Sequence, residues 1–328
     1  MNRIIGTYEG AARQTLVFAV GAMHGNEPAG VQAIEKLLEM LHEEPTKNPD
    51  FKFNGKLVGL IGNLAAFQQG IRYISEDMNR LFSTENIAKI REKALFAPLK
   101  ASDTGGGHFW EDSDEWNAEE REVNAFLNTI FKEIETYQPQ KIVLIDLHTT
   151  SADGGIFAIP QDHDAASLAL AKSLHAPVVL GLTAGVGGTT LHYFTKQNFD
   201  FPTIAVAFES GQHGDPNSMS RAVAALVHLL RAVGCVAAEA VESRHEALLR
   251  RYTADLPRLV QLFYVHKIAA HADFAMLPNF KNFQFVEKNQ PLARVGNDVV
   301  VAPKNCLVLM PLYQKRGNDG FFLVEKIE

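Results

Sequence analysis

The sequence predicts an α/β fold: a mixed, mostly parallel sheet with helices on both faces, plus a small β-rich C-terminal domain. Within the first 250 residues, short runs of β-branched and aromatic residues with almost no charge indicate buried strands. Segments with helical spacing of apolar residues separate these runs, and such alternation favours a parallel sheet. From residue 251 to residue 328, short β-type runs separated by turn residues predict the second domain.

The predicted elements follow one another regularly along the chain. The first strand is Thr15–Ala22, and a helical pattern begins at Glu27. The remaining elements of this part are strands at residues 56–61, 141–147, 156–160, 178–182 and 203–208 and helices at residues 86–96 and 117–137. Residues 101–115 include three consecutive glycines and are predicted to form a loop. We therefore expect a domain at residues 1–250 and a smaller one at residues 251–328.

Polar side chains that can bind a metal or move a proton follow three of these strands. His24 and Glu27 follow the first strand, and His148 and Glu209 follow two later ones. Open α/β sheets build their sites at the carboxyl ends of strands, so we expect these side chains to lie close together. Two histidines and one glutamate suit a catalytic zinc ion, and Glu209 could act as a base. Asp146 could accept a hydrogen bond from His148 or contact a substrate.

Two arginines between the second strand and the next helix predict an anion site. Arg72 and Arg80 can each bind a carboxylate through two parallel hydrogen bonds, and Asn79 stands beside the second arginine. The alternative is that these arginines pair with Glu76 or Asp77 at the surface.

The ordered set of motifs resembles the succinylglutamate desuccinylase and aspartoacylase family of the zinc carboxypeptidase superfamily. The matching pieces are His24-Gly25-Asn26-Glu27, Asn63, Arg72, Asp77-Met78-Asn79-Arg80-Leu81-Phe82, Asp146-Leu147-His148 and Glu209-Ser210-Gly211. The resemblance implies a zinc carboxypeptidase-like fold and one Zn²⁺ held by His24, Glu27 and His148. It also implies hydrolysis of the amide bond of a small, anionic N-acyl amino acid, with release of a carboxylic acid and an amino acid.

The resemblance further implies a role for each polar side chain of the site. Glu209 would be the base and then the acid, and Arg72 would stabilise the oxyanion. Asn79 and Arg80 would hold a substrate carboxylate.

Three more residues are expected to bind substrate. They are Asn63, Tyr313 in the C-terminal domain, and Lys196. Aspartoacylase has an additional arginine before its catalytic glutamate, whereas this chain has no arginine between Arg121 and Arg221. Lys196 lies on that approach, but lysine cannot form the same two-bond contact. This departure argues against N-acetylaspartate as the natural substrate.

Composition excludes several other classes of function. The net charge of −7 is spread along the chain and argues against a nucleic-acid partner. Two cysteines are too few for a disulfide framework, and the N-terminus does not have the pattern of a signal peptide, so we expect a cytoplasmic protein. The apolar stretch from Ala222 to Val241 is interrupted by charged residues and predicts no membrane span.

Three alternatives to the N-acyl amino acid hydrolase are compatible with the sequence. A zinc carboxypeptidase acting on peptides would use the same ligands, and so would an esterase. A metal-free binding protein could also keep the fold. The sequence does not determine the oligomeric state, and a homo-oligomer is compatible with it.

Overall fold

The computed structural model describes residues 1–96, 116–237 and 243–328. In chain order its strands are β1 (Ile4–Glu9), β2 (Ala12–Gly21), β3 (Asn54–Ile61), β4 (Lys141–Thr150), β5 (Phe157–Pro160), β6 (Val178–Leu180), β7 (Thr203–Gln212), β8 (Leu259–Lys267), β9 (Phe274–Met276), β10 (Gln284–Val286), β11 (Pro291–Val295), β12 (Asp298–Val301), β13 (Cys306–Leu309) and β14 (Asp319–Lys326). Its helices are α1 (Ala29–Lys47), α2 (Leu64–Gln69), α3 (Thr84–Phe96), α4 (Ala118–Tyr137), α5 (Ala165–Ser173), α6 (Leu182–Gly185), α7 (Thr190–Tyr193), α8 (Ser218–Ala232) and α9 (Ser243–Tyr252). The loop predicted at residues 101–115 lies outside the described residues.

One sheet of 11 strands runs through the molecule in the order β1-β3-β2-β4-β7-β5-β6-β8-β14-β13-β10. Its centre is parallel, because β2 pairs in parallel with both β3 and β4, and β4 pairs in parallel with β7. Antiparallel partners join at β1, β5 and β14. The predicted mixed, mostly parallel α/β sheet is therefore confirmed.

Strand β2 shows why helices cover both faces of this sheet. Its side chains alternate between the faces, as the two-residue period of a strand requires. Leu16, Phe18 and Val20 join an apolar cluster with α4, whereas Val17 and Ala19 join a second cluster with α1 and α8. Both faces are thus buried from Thr15 onwards, which explains why the strand is apolar from Leu16 to its end.

The strands after residue 251 occupy two places. β8, β14, β13 and β10 extend the main sheet, and β9, β11 and β12 form a separate three-stranded sheet. Helix α9 spans residue 250, where the domain boundary was predicted. The division into residues 1–250 and 251–328 stays a prediction.

Residues 222–232 of the long apolar stretch lie in α8, which packs against α1 and is largely buried. Throughout the part of the chain that the structure describes, no helix has the length and apolar character needed to cross a membrane.

Candidate active site

The parallel strands β2, β4 and β7 bring four polar side chains to one edge of the sheet. His24 and Glu27 lie in the turn between β2 and α1, and His148 and Glu209 are paired neighbours near the ends of β4 and β7. All four are buried. The turn depends on Gly25, because a Cβ there would lie 2.2 Å from the backbone of α2. The predicted convergence of these residues at a strand edge is what the structure shows.

Three of these side chains form a candidate metal site. His24 Nδ1 lies 3.0 Å from Glu27 Oε1, and His148 Nδ1 lies 3.3 Å from Glu27 Oε2. One nitrogen of each histidine and one oxygen of the glutamate lie within 4.8 Å of one another. Two imidazoles and one carboxylate fit a catalytic zinc ion, which keeps a further position open.

The outer nitrogen of each histidine faces a buried aspartate. His24 Nε2 lies 3.0 Å from Asp77 Oδ1, and His148 Nε2 lies 3.1 Å from Asp146 Oδ2. A histidine that donates its outer N–H in this way keeps the lone pair of its inner nitrogen for a metal. Asp146 was expected to be placed for this contact, whereas the contact of Asp77 with His24 was not predicted. The motif containing Asp77 was the only sequence signal for it.

Electrostatics keep the acidic ligand of this site in its charged form. Although burial alone would raise it, the pKa of Glu27 is held well below its usual value by His24 and His148. The pKa of Asp77 is likewise held low by His24 and Arg72 despite burial. Glu27 is therefore available as a charged ligand, and the N–H of Thr149 fixes its Oε2 at 2.9 Å.

Glu209 differs from the other carboxylates of the cleft. Burial, followed by the nearby charge of Glu27, raises its pKa to about 7. Among the described residues, its buried Oε2 has no hydrogen-bond partner. A carboxylate that is free to accept or release a proton near neutral pH therefore stands beside the candidate metal site.

Arg72 and the Asn79–Arg80 pair line the same cleft as the candidate metal site. Arg72 donates to Glu27 Oε1 at 3.3 Å and to Asp77 Oδ2 at 3.1 Å. Asn79 Oδ1 accepts from the N–H of Thr190 at 3.0 Å. The structure therefore brings both arginines to the cleft.

Glu119, which the sequence analysis did not single out, organises the loop before Asp77. Its carboxylate accepts from the backbone N–H groups of Ile74, Ser75 and Glu76 at 2.7, 2.9 and 3.1 Å. It is fully buried at the start of α4. Because it lies more than 40 residues from these partners, no local pattern could have revealed it.

Three predicted substrate-binding residues do not line the cleft. Asn63 is fully buried, caps α2 and donates to Glu119 at 3.2 Å. The hydroxyl of Tyr313 lies 2.8 Å from Phe280 N and 2.7 Å from Leu277 O, so the backbone holds it. Lys196 is exposed at the surface. The structure thus gives no support for their direct contact with substrate.

The cleft is small and is partly closed by the C-terminal part of the chain. Its volume is about 120 Å³. One wall is formed by the segment around Leu312, Gln314 and Asp319. This segment is bonded to the loop after Arg72 by Arg316, which donates to the carbonyl of Tyr73 and lies over its ring.

Comparison with known proteins agrees with the motifs. Residues 13–99 match the family model of the succinylglutamate desuccinylase/aspartoacylase catalytic domain. A probable aspartoacylase from Nostoc sp. is 28% identical over 148 residues, which are 45% of this chain and 40% of that protein. A succinylglutamate desuccinylase from Serratia proteamaculans is 37% identical over 70 residues, which are 21% of this chain and 20% of that protein. The matches thus cover less than half of these relatives.

Solved structures show that the likeness in fold extends over the whole chain. A succinylglutamate desuccinylase/aspartoacylase from Rhodobacter sphaeroides has a TM-score of 0.62 at 13% identity, covering 98% of this chain and 88% of that one. Murine aminoacylase 3 has a TM-score of 0.58 at 15% identity, covering 97% of both chains. The family model and the curated relatives confirm the resemblance of this chain to the succinylglutamate desuccinylase and aspartoacylase family.

Proposed function

We propose that this chain is a zinc-dependent amidohydrolase acting on a small N-acyl amino acid. The products would be a carboxylic acid and a free amino acid. The observation that carries the proposal is the juxtaposition of the candidate metal site with Glu209, a buried carboxylate whose pKa is about 7. The deacylase names of the relatives agree with this reaction type.

The donor set fits a zinc ion held by His24, Glu27 and His148. Both histidines turn Nδ1 towards Glu27 and Nε2 towards an outer aspartate, as zinc-binding histidines commonly do. When bound, zinc supplies Lewis acidity, which polarises a carbonyl and acidifies water.

Glu209 would move the proton of the reaction. It would accept a proton from the attacking water and then deliver it to the leaving nitrogen of the amide, so that it ends the cycle unchanged. A base with a pKa near the working pH is the most effective one. In the metal-free site the pKa of Glu209, about 7, lies in that range, chiefly because the side chain is buried.

Each arginine would stabilise a different negative charge: one on the carbonyl oxygen and one on the substrate carboxylate. Arg72 lies against Glu27, at the candidate metal site, and would stabilise charge that develops on the carbonyl oxygen. Arg80 and Asn79 would bind the carboxylate of the amino acid. Because Asn79 Oδ1 is held by the backbone of Thr190, the Nδ2 end of its amide is the end left to donate.

The small cleft favours this substrate class over peptides. A carboxypeptidase needs an open groove for several residues, whereas the C-terminal segment closes one side of this cleft. An ester of similar size would fit the same cleft, so an assay with matched amides and esters distinguishes an amidohydrolase from an esterase.

The direct test compares zinc-loaded and chelator-treated protein on N-acetyl amino acids, matched esters and short peptides. We expect zinc-dependent release of amino acids from the N-acetyl compounds, and little from the peptides. Glu209→Gln should keep the metal but lower turnover by roughly 10²-fold or more. Near-normal turnover in that variant, or a preference for peptides of several residues, would refute the proposal.

A further inference from the structure

Arg80, the proposed carboxylate-binding residue, already has an internal carboxylate partner. Its Nη2 lies 2.8 Å from Asp319 Oδ2, and the other oxygen of Asp319 lies 2.6 Å from Lys267 Nζ. The Asp319 side chain is only 5% exposed, compared with 25% for Arg80 and 55% for Lys267. The aspartate is therefore the buried member of the group, and the lysine reaches solvent.

The fold, and not a local motif, brings these three residues together. Asp319 begins β14 and pairs with Lys267 of β8, so the register of two neighbouring strands sets their contact. Arg80 is 239 residues away along the chain. The backbone of Arg80 packs closely against Gly188, where a Cβ would lie 2.1 Å from the carbonyl oxygen of Arg80.

Asp319 also lines the cleft. The other charged or metal-binding side chains of the lining are Glu27, Asp146, Glu209, Arg72, Arg80, His24 and His148. Arg72 is already bonded to Glu27 and to Asp77. One substrate carboxylate can share Arg80 with Asp319, but a second carboxylate in this small space would meet the negative charge of Asp319.

We infer that Asp319 is a specificity-determining residue that limits the substrate to a single carboxylate. The inference rests on the proposed function and narrows it to N-acyl amino acids whose acyl group and side chain carry no negative charge. Like charges brought together in a binding site discriminate strongly between otherwise similar ligands. N-acyl derivatives of aspartate and glutamate, and N-succinyl compounds, are then poor substrates.

The test uses two nearly isosteric substrates, N-acetylglutamine with one carboxylate and N-acetylglutamate with two. The measured quantity is the ratio of kcat/KM for the glutamate compound to kcat/KM for the glutamine compound. We expect a ratio below about 0.1 for the unaltered zinc-loaded enzyme and a rise of about tenfold or more in Asp319→Asn. The matched control is Glu325→Gln, on the same strand, where an exposed ion pair with Lys304 lies outside the cleft. It should leave the ratio unchanged.

Lys267→Met provides a second variant at an exposed position, in case Asp319→Asn does not fold. Without the lysine, the charge of Asp319 is less neutralised, so the ratio should fall below that of the unaltered enzyme.

If Asp319 merely positions Arg80, kcat/KM should fall equally for both substrates in Asp319→Asn and the ratio should stay constant. That constancy would overturn the inference while leaving the proposed function intact. Failure of the unaltered enzyme to hydrolyse either compound would instead overturn the proposed function, and the inference with it.

Discussion

Glu209→Gln should change how the stability of the metal-free protein depends on pH. Burial, followed by the charge of Glu27, raises the pKa of Glu209 from an ordinary value of 4.5 to about 7. The folded protein therefore holds this proton more tightly than the unfolded chain does. The resulting stabilisation is fully present below the unfolded pKa and is lost as the pH rises through the folded pKa.

The size of this loss follows from the two pKa values. Between about pH 5 and about pH 8, the free energy of unfolding should fall by about 2.5 kcal/mol on account of Glu209 alone. A glutamine has nearly the same shape and does not titrate, so the variant should lack this part of the pH dependence. At high pH, the ionised and unpaired carboxylate of Glu209 in the cleft lowers the free energy of unfolding.

Denaturant unfolding of chelator-treated protein at the two pH values measures the effect. The change in unfolding free energy between them should be smaller in Glu209→Gln by about 2.5 kcal/mol. Glu325→Gln, in which an exposed carboxylate is replaced, should keep the full change. Equal pH dependence in the Glu209 variant and the unaltered protein would refute the burial argument for this residue.

Three further variants test the other parts of the site. His148→Ala should lose bound metal by elemental analysis while circular dichroism stays unchanged, because the imidazole is bonded to the cleft carboxylates of Glu27 and Asp146; retained metal would contradict the ligand set. Arg80→Lys should raise KM for N-acyl amino acids far more than for neutral amides, since lysine cannot make two aligned bonds, and equal effects would argue for a general amidase. Glu119→Gln should lower the free energy of unfolding by about 1–3 kcal/mol and also lower activity, because it weakens the contacts that hold the loop before Asp77, and unchanged stability would rule out that role.

The main ligands could be predicted because their positions follow from local patterns. The apolar runs that form β2, β4 and β7 end at the same edge of a parallel sheet. His24, His148 and Glu209 come directly after these apolar runs in the sequence. β4 and β7 extend to Thr150 and Gln212, so His148 and Glu209 lie inside the strands and not after them. This difference leaves the convergence of the side chains unaffected.

Residues that act over long sequence distances could not be found in this way. Glu119 reaches a loop more than 40 residues earlier, and Asp319 reaches Arg80 across 239 residues. Neither contact leaves a periodic trace in the sequence. Only the register between strands and the packing of α4 against the loop bring these groups together.

Residue type and approximate position were weak guides where no strand end fixed the side chain. Tyr313 stands in the sequence between Leu312 and Gln314, which line the cleft. Its hydroxyl is nevertheless bound by the backbone of Leu277 and Phe280. Asn63 is used as a helix cap, a common role for asparagine. Lys196 lies at the exposed surface, whereas Lys267 contacts Asp319 at the cleft although no local sequence pattern indicates it.

The position of the bound metal tests the central claim most directly. A crystal structure of the zinc-loaded protein, with anomalous scattering measured at the zinc edge, locates the ion independently of activity. We predict one zinc ion per chain, bound by His24 Nδ1, His148 Nδ1 and the carboxylate of Glu27, with Glu209 within one water molecule's reach. An ion bound elsewhere, or no ordered ion with these three side chains turned apart, would contradict the account.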